Sequence, residues 1–329
     1  MKVDKVLLIR FSSIGDIVLC SALVRCVKEQ SGAEVHFLTK GRFSSVVEAN
    51  PNIDKVWILE DMAKDLSELK QENYDLILDL HNNLRSSRVK RLLNSKSFTL
   101  DKINTAKWLK VNLGLDVLPK RHIVDRKFDL AKDINVYYDG KGLDFFYGYD
   151  TSLDKEWKKE GRRTSIVLGA AHFTKRIPEG KIIELCQEIE GEIFLLGGPS
   201  EAALGAGIAE KVNAINLCGK LSLHGSAQFL DSSDVVISSD TGLMHIAAAL
   251  NKPLFVLWGS TVPEFGMYPF LPAGGSNYYN EEVYGLHCRP CSKIGYQACP
   301  KGHFNCMNLQ DTKDIAKRVN QKLLELNAQ

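Results

Sequence analysis

Ser238-Ser239-Asp240-Thr241-Gly242-Leu243-Met244-His245-Ile246-Ala247-Ala248-Ala249-Leu250 is the stretch on which the fold turns. It follows the apolar run Val235 to Ile237 and precedes a second, Leu254 to Trp258, so it reads as strand, tight turn, helix, strand. Asp240 or Thr241 is the expected helix cap, and Gly242 lets the turn be tight. In a parallel α/β sheet such a turn lies at the carboxyl edge of the strands, where ligands bind, with the first N–H groups of the helix free to meet an anion. The pattern suits a phosphate seat. It equally suits any βαβ unit with a capped helix, so residues elsewhere must decide.

The same alternation extends in both directions. A strand at Val6 to Ile9 runs into Arg10-Phe11-Ser12-Ser13-Ile14-Gly15-Asp16 and then a helix beginning near Ile17. Ser13 and Gly15 suit a backbone that turns sharply and approaches a ligand, but the loop is neither G-x-G-x-x-G nor a Walker loop, because no Lys follows the Gly. Asp16 is either a carboxylate complementing a helix start or one placed to accept a proton from a substrate hydroxyl. Strands are expected at Glu34 to Thr39, Lys55 to Leu59 and Leu76 to Leu80, with helices from Phe43 and over Ala63 to Lys70. The polar run Asp79 to Arg88 (DLHNNLRSSR) suggests a substrate-facing loop, and Trp108, Leu109, Val111 and Leu113 fall on one helix face.

Composition shifts between Tyr137 and Arg163, which places a linker there and divides the chain into domains 1–155 and 156–329, the C-terminal helix being free to pack back on the first. The second half resumes with a strand at Ser165 to Leu168 and the loop Gly169 to Pro178, which sets Thr174, Lys175 and Arg176 just before a helix. Ile193 to Leu196 leads into Gly197-Gly198-Pro199-Ser200-Glu201, whose acid can hold a ribose or a base. A strand at Ala214 to Leu217 and a helix at Ser222 to Leu230 bring the chain back to the opening stretch. The expected class is α/β: two Rossmann-like, doubly wound domains facing across a cleft, with a carboxylate from one side and a phosphate seat from the other.

At 329 residues the chain is too long for one ordinary core. No apolar run approaches the ~18 residues of a membrane span and no signal peptide is evident, so a cytoplasmic protein is expected. The net charge of +2 hides a bias. Between Arg85 and Lys127 stand twelve Lys or Arg against three Asp, which implies an anionic partner. Nucleic acid is not expected, since only Phe98 and Trp108 interleave those charges. Cys20, Cys26, Cys186 and Cys218 fall within expected elements and read as buried apolar residues. Cys288, Cys291, Cys299 and Cys306, with His303 among them, admit a structural zinc, free thiols in a substrate loop, or redox chemistry.

Arg10 to Asp16, Thr174-Lys175-Arg176-Ile177-Pro178 and Asp240 to His245, in that order, make the chain similar to the heptosyltransferases of glycosyltransferase family 9. The resemblance implies a GT-B fold and inverting transfer of heptose from ADP-heptose to the inner core of lipopolysaccharide. It implies Asp16 as general base and Lys175 as the phosphate-binding lysine. Asp240, Thr241 and Gly242 match the diphosphate turn, followed by His245; Ser13, Gly15 and Thr174 belong to the donor-side motifs, and Glu201 matches an acid that contacts the nucleoside. Asp79 to Ser86 resembles the acceptor-side motif, with Asn82, Arg85, Arg88 and, further along the basic segment, Arg121 facing the acceptor; His81-Asn82 replaces the usual Gln-Gly, and Ile177 a Trp. A lysine and a helix end can neutralise a diphosphate, so no catalytic divalent metal is required. The basic segment would dock carboxylates and phosphates of the lipid A and inner-core precursor at the inner membrane surface. Another nucleotide sugar or glycan acceptor, or a silent nucleotide-sugar-binding protein, would share the same residues.

Overall fold

The computed structural model describes residues 2–151, 153, 157 and 161–327. The chain forms two compact units, Met1–Asn104 with Pro119–Phe146, and Thr105–Leu118 with Tyr147–Gln329. The expected boundary between Lys155 and Glu156 lies outside the described residues. One excursion is not legible from composition: the helix Asn104–Leu113 is counted almost wholly with the second unit although first-unit sequence flanks it on both sides. The basic segment is thereby shared between the two units.

The first unit is built on a five-stranded parallel sheet of β1 (Lys5–Ile9), β2 (Glu34–Thr39), β3 (Lys55–Ile58), β4 (Leu76–Asp79) and β5 (Lys96–Thr99), in the order β3-β2-β1-β4-β5. Strands covered on both faces read as unbroken apolar runs, as in Val6-Leu7-Leu8-Ile9, all fully buried. Leu7, Ile9, Leu38, Ile77 and Val89 join one core with Phe11 and Leu69. Strand order reverses between β1 and β4, which pair with Ile9 opposite Asp79. The loops that follow these two strands therefore flank the switch point of the sheet, the crevice where doubly wound folds hold ligands.

The second unit repeats the plan with six parallel strands: β6 (Arg163–Val167), β7 (Glu192–Leu196), β8 (Ile215–Asn216), β9 (Val235–Ser239), β10 (Leu254–Leu257) and β11 (Tyr278–Glu281), in the order β11-β10-β9-β6-β7-β8. Here the reversal falls between β6 and β9. The edge strands β5 and β11 escape a reading of hydrophobic pattern because both are largely polar and only partly covered. The final helix, Thr312–Asn327, joins this unit: Ile315, Ala316, Val319 and Leu323 enter the same core as Ile166, Leu185 and Ile237. Among the described residues no helix is long and apolar enough to cross a membrane.

Candidate active site

Asp16 stands at the first switch point, on the short helix Ile14–Val18 that follows β1. Its Oδ2 accepts a hydrogen bond from the Ser13 hydroxyl at 3.0 Å and lies 2.7 Å from an Arg10 guanidinium nitrogen. No hydrogen bond engages Oδ1 among the described residues. The helix-start contacts of Asp16 thus fall on Oδ2. Partial burial pushes the carboxyl upward, but Arg10, then Lys127 and Ser13, outweigh it and hold the pKa at about 2. Arg10 is itself fixed, donating from Nε to the Ser12 carbonyl at 2.7 Å and from Nη1 to that of Leu80. Lys127, whose amine is fully buried and its pKa lowered by that burial, donates to the Asp16 carbonyl at 3.3 Å and to the Cys20 sulfur at 3.4 Å.

The loop after β4 is organised by Asp79, a residue the sequence reading passed over. Completely buried at the strand end, it accepts from the N–H groups of His81 at 3.0 Å and Asn82 at 2.8 Å, from the Ser86 hydroxyl at 2.9 Å, and pairs with Lys90 at 2.9 Å. The helix Leu84–Leu93 that carries Arg85 and Arg88 is thereby tied to the sheet, with Asn83 as its cap. His81 packs edge-on to Phe11, and burial, then Arg10 and Lys102, depress its pKa to about 4, so it is neutral near pH 7. The Asn82 amide donates to the Leu100 carbonyl at 2.8 Å, and Arg121 forks onto Asp129 at 2.8 and 3.2 Å. Both side chains thus begin from internal contacts.

The second switch point brings Lys175 and Asp240 together. Lys175 ends the 3₁₀ turn Phe173–Lys175 after β6, Asp240 follows β9, and Nζ lies 2.5 Å from Oδ2 with side chains only 16 % and 12 % exposed. Thr261, beyond β10, donates to the same oxygen at 2.8 Å. Burial would raise the Asp240 pKa, but the adjacent ammonium, His245 and the Thr261 hydroxyl lower it. This corrects the expected cap. Thr241 occupies the N-cap position of Gly242–Ala249, yet neither side chain caps the helix, because the Asp240 carboxylate turns to Lys175 and Thr261 instead. The first turn is left with its backbone donors uncapped beside an ammonium, an arrangement suited to a phosphate. His245 is buried on that helix.

Thr174 is a buried strut. Its hydroxyl accepts from Ser260 at 2.9 Å and from the Tyr296 N–H at 2.8 Å, and donates to the Tyr296 carbonyl at 3.1 Å. The cysteine-rich loop is thus anchored directly to the Lys175 turn. Arg289, between two of the cysteines, donates to the carbonyls of Gly259 and Thr261 at 2.7 and 3.0 Å and pairs with Glu282 at 2.8 Å. Glu201 is buried, accepting from the Gly198 N–H at 3.0 Å and the Ser200 hydroxyl at 2.8 Å, 3.4 Å from Arg176.

The four loop cysteines are free thiols, with the Cys288 sulfur 3.9 Å from His303 Nε2. Burial, then the neighbouring Cys288 and Cys299, raises Cys291 to about 11. Among the described residues no three of these groups come within 4.8 Å of one another; the one trio that does is Glu34, His36 and Glu72, whose carboxylates are already paired with Lys5 and Lys55. A closed tetrahedral zinc site needs its ligand atoms gathered about one point, so the arrangement does not fit a structural zinc, one of the three readings the sequence admits.

Two doubly wound α/β units, each built on its own parallel sheet, have the make-up of the GT-B fold, which the solved heptosyltransferases below share. The sequence profile of glycosyltransferase family 9 (heptosyltransferase) matches residues 62–293, and the chain belongs to that family. Asp16 lies before the matched stretch. Lipopolysaccharide heptosyltransferase 1 of Campylobacter coli is 26 % identical over 289 residues, 78 % of this chain and 84 % of that one. The family 9 glycosyltransferase of Veillonella parvula aligns with a TM-score of 0.78 at 16 % identity over 99 % of both chains. The Escherichia coli ADP-heptose lipopolysaccharide heptosyltransferase II aligns with a TM-score of 0.73 at 19 % identity over 98 % of this chain and 99 % of that one.

Proposed function

We propose that the protein transfers heptose from ADP-heptose to the inner core of a lipopolysaccharide precursor, with inversion at the anomeric carbon. The observation that carries this reading is the Lys175–Asp240 pair beside the uncapped helix Gly242–Ala249. As the glycosidic bond to the diphosphate breaks, negative charge builds on ADP, and the Lys175 ammonium with the N–H groups following Asp240 stabilises it. The acceptor oxygen forms the new bond to the anomeric carbon, and its proton passes to Asp16, which is ionised. A carboxylate with so low a pKa is a weak base. It is suited to a reaction in which the hydroxyl becomes acidic only as its oxygen bonds to an electron-poor carbon.

On the donor side, Thr241, Gly242 and His245 line the seat, Thr174 holds it, and Glu201 faces the nucleoside; Ser13 and Gly15 shape the turn that presents Asp16. Asn82, Arg85, Arg88 and Arg121 serve the acceptor at the membrane surface, where anionic headgroups attract a basic face. No metal is needed for this charge balance. Isothermal titration with ADP, UDP and GDP tests the reading: ADP should bind preferentially without added metal, and Lys175→Ala should weaken all three, because the lysine meets the diphosphate they share. Preference for UDP or GDP would move the donor to another class, and absence of nucleotide binding would remove the transferase reading altogether.

A further inference from the structure

The turn after β10, Gly259-Ser260-Thr261, gives each of its carbonyls to the cysteine-rich loop. Arg289 donates from Nε to Gly259 at 2.7 Å and from Nη2 to Thr261 at 3.0 Å, and the Cys291 N–H donates to Ser260 at 3.1 Å. On its other side the turn meets the residues of the phosphate seat. The Ser260 N–H donates to the Thr174 carbonyl at 3.1 Å, the Ser260 hydroxyl to that of Thr174 at 2.9 Å, and Thr261 to Asp240 at 2.8 Å. A Cβ at Gly259 would stand 2.4 Å from the Thr174 carbonyl, so glycine is what lets the two backbones close on each other. Lys175 is the next residue along the chain from Thr174.

Arg289 suits this place by its shape as well as its charge. Its side chain is 6 % exposed and that of Glu282, 2.8 Å away, 9 %; Glu282 stands one residue past β11 and neutralises the buried cation. A guanidinium presents its donors in a fixed planar fork, so one side chain reaches two carbonyls and a carboxylate at once. An ammonium is a point charge on a flexible stem and has no such fork.

We infer that Arg289 is a positioning residue for the donor diphosphate: by holding Gly259 and Thr261 it fixes, through Ser260 on Thr174 and Thr261 on Asp240, where the Lys175 ammonium stands. The inference rests on the reading of Lys175 as the residue that meets the diphosphate, and it makes the cysteine-rich loop a working part of that site. Charge that builds on a leaving group is stabilised best by a cation already in place, which gives such a clamp its purpose.

Titration of the full chain with ADP, without added metal, tests it, with thermal unfolding of the same samples to show that each is folded. Arg289→Lys keeps a cation opposite Glu282 but loses the fork, so it should hold Tm near the wild type and weaken ADP by about fivefold or more. Arg289→Met/Glu282→Met removes the ion pair whole and leaves no stranded charge; it should weaken ADP at least as much. On a Lys175→Met background, Arg289→Lys should cost less than about twofold more, because it acts through that lysine. Undiminished ADP affinity in Arg289→Met/Glu282→Met, or the full fivefold penalty repeated on Lys175→Met, leaves Arg289 with a merely structural role and overturns the inference while wild-type ADP binding stands. A wild type that binds no nucleotide overturns the donor reading itself, and the inference falls with it.

Discussion

Replacing Lys175 with Met strands Asp240. The two meet at 2.5 Å with side chains 16 % and 12 % exposed, and the carboxylate keeps only the Thr261 hydroxyl, at 2.8 Å, once the ammonium is gone. Removing one member of a buried pair typically costs ~3–5 kcal/mol; the surviving hydrogen bond and residual solvent contact place this case near the lower end, about 3 kcal/mol. Asp240→Asn leaves Lys175 on a flexible stem that can turn to water, so about 1–2 kcal/mol is expected. The double variant Lys175→Met/Asp240→Asn should be about 2 kcal/mol more stable than additivity requires. Urea unfolding of the second unit, followed by the buried Trp258, measures all three. Asp240 is held below its ordinary value of 3.8, so its stabilisation is present above that pH and is lost as pH falls through the depressed folded value. Lys175→Met should therefore shift acid unfolding of this unit to higher pH. ADP binding should fall at least tenfold in Lys175→Met and persist in Asp240→Asn, because the lysine, not the aspartate, meets the diphosphate. Additive stabilities, or ADP affinity retained without Lys175, would refute the reasoning.

Asp16→Asn should reduce turnover by about 10²–10⁴-fold with ADP affinity unchanged, as expected for loss of a general base; steady-state kinetics beside calorimetry checks both. Arg10→Met should raise the Asp16 pKa from about 2 to its ordinary 3.8 or above, since the burial remains while the largest opposing charge goes. An acid limb in kcat/KM absent from the wild type should then appear near pH 4, and about 2 kcal/mol of stability present above pH 4 should be lost; Arg10→Lys, which keeps the charge, should show less of both. Thr174→Val removes a hydroxyl satisfied three ways and leaves Ser260 and the Tyr296 N–H without their acceptor. A loss of about 2–3 kcal/mol and weaker ADP binding are expected, with thermal unfolding and calorimetry as the readouts.

The buried strands and the turns that carry the two candidate sites were legible in the chain because each βα turn is a local event. An apolar run, a tight polar turn and a helical period announce the edge of a parallel sheet, and β1, β4, β6 and β9 each carry that signature. Asp16, Lys175 and Asp240 stand in such turns, and residue type and position marked them as candidates, but their proposed roles came from the resemblance to the family. Strand order is not local. Only the assembled sheets place β1 beside β4 and β6 beside β9, which makes these turns, and not those after β7 or β10, the flanks of the switch points. The direction of a side chain is not local either: Asp240 has the composition of a cap, but the lysine 65 residues away claims its carboxylate and leaves the helix open. The basic segment read as one charged surface, yet several of its cations are neutralised by Asp79, Asp129 and Asp133, and it is divided between two units. Charge counted along a chain is set by residue type. Charge available to a ligand depends on which carboxylates folding brings within 4 Å, as Asp79 does for Lys90.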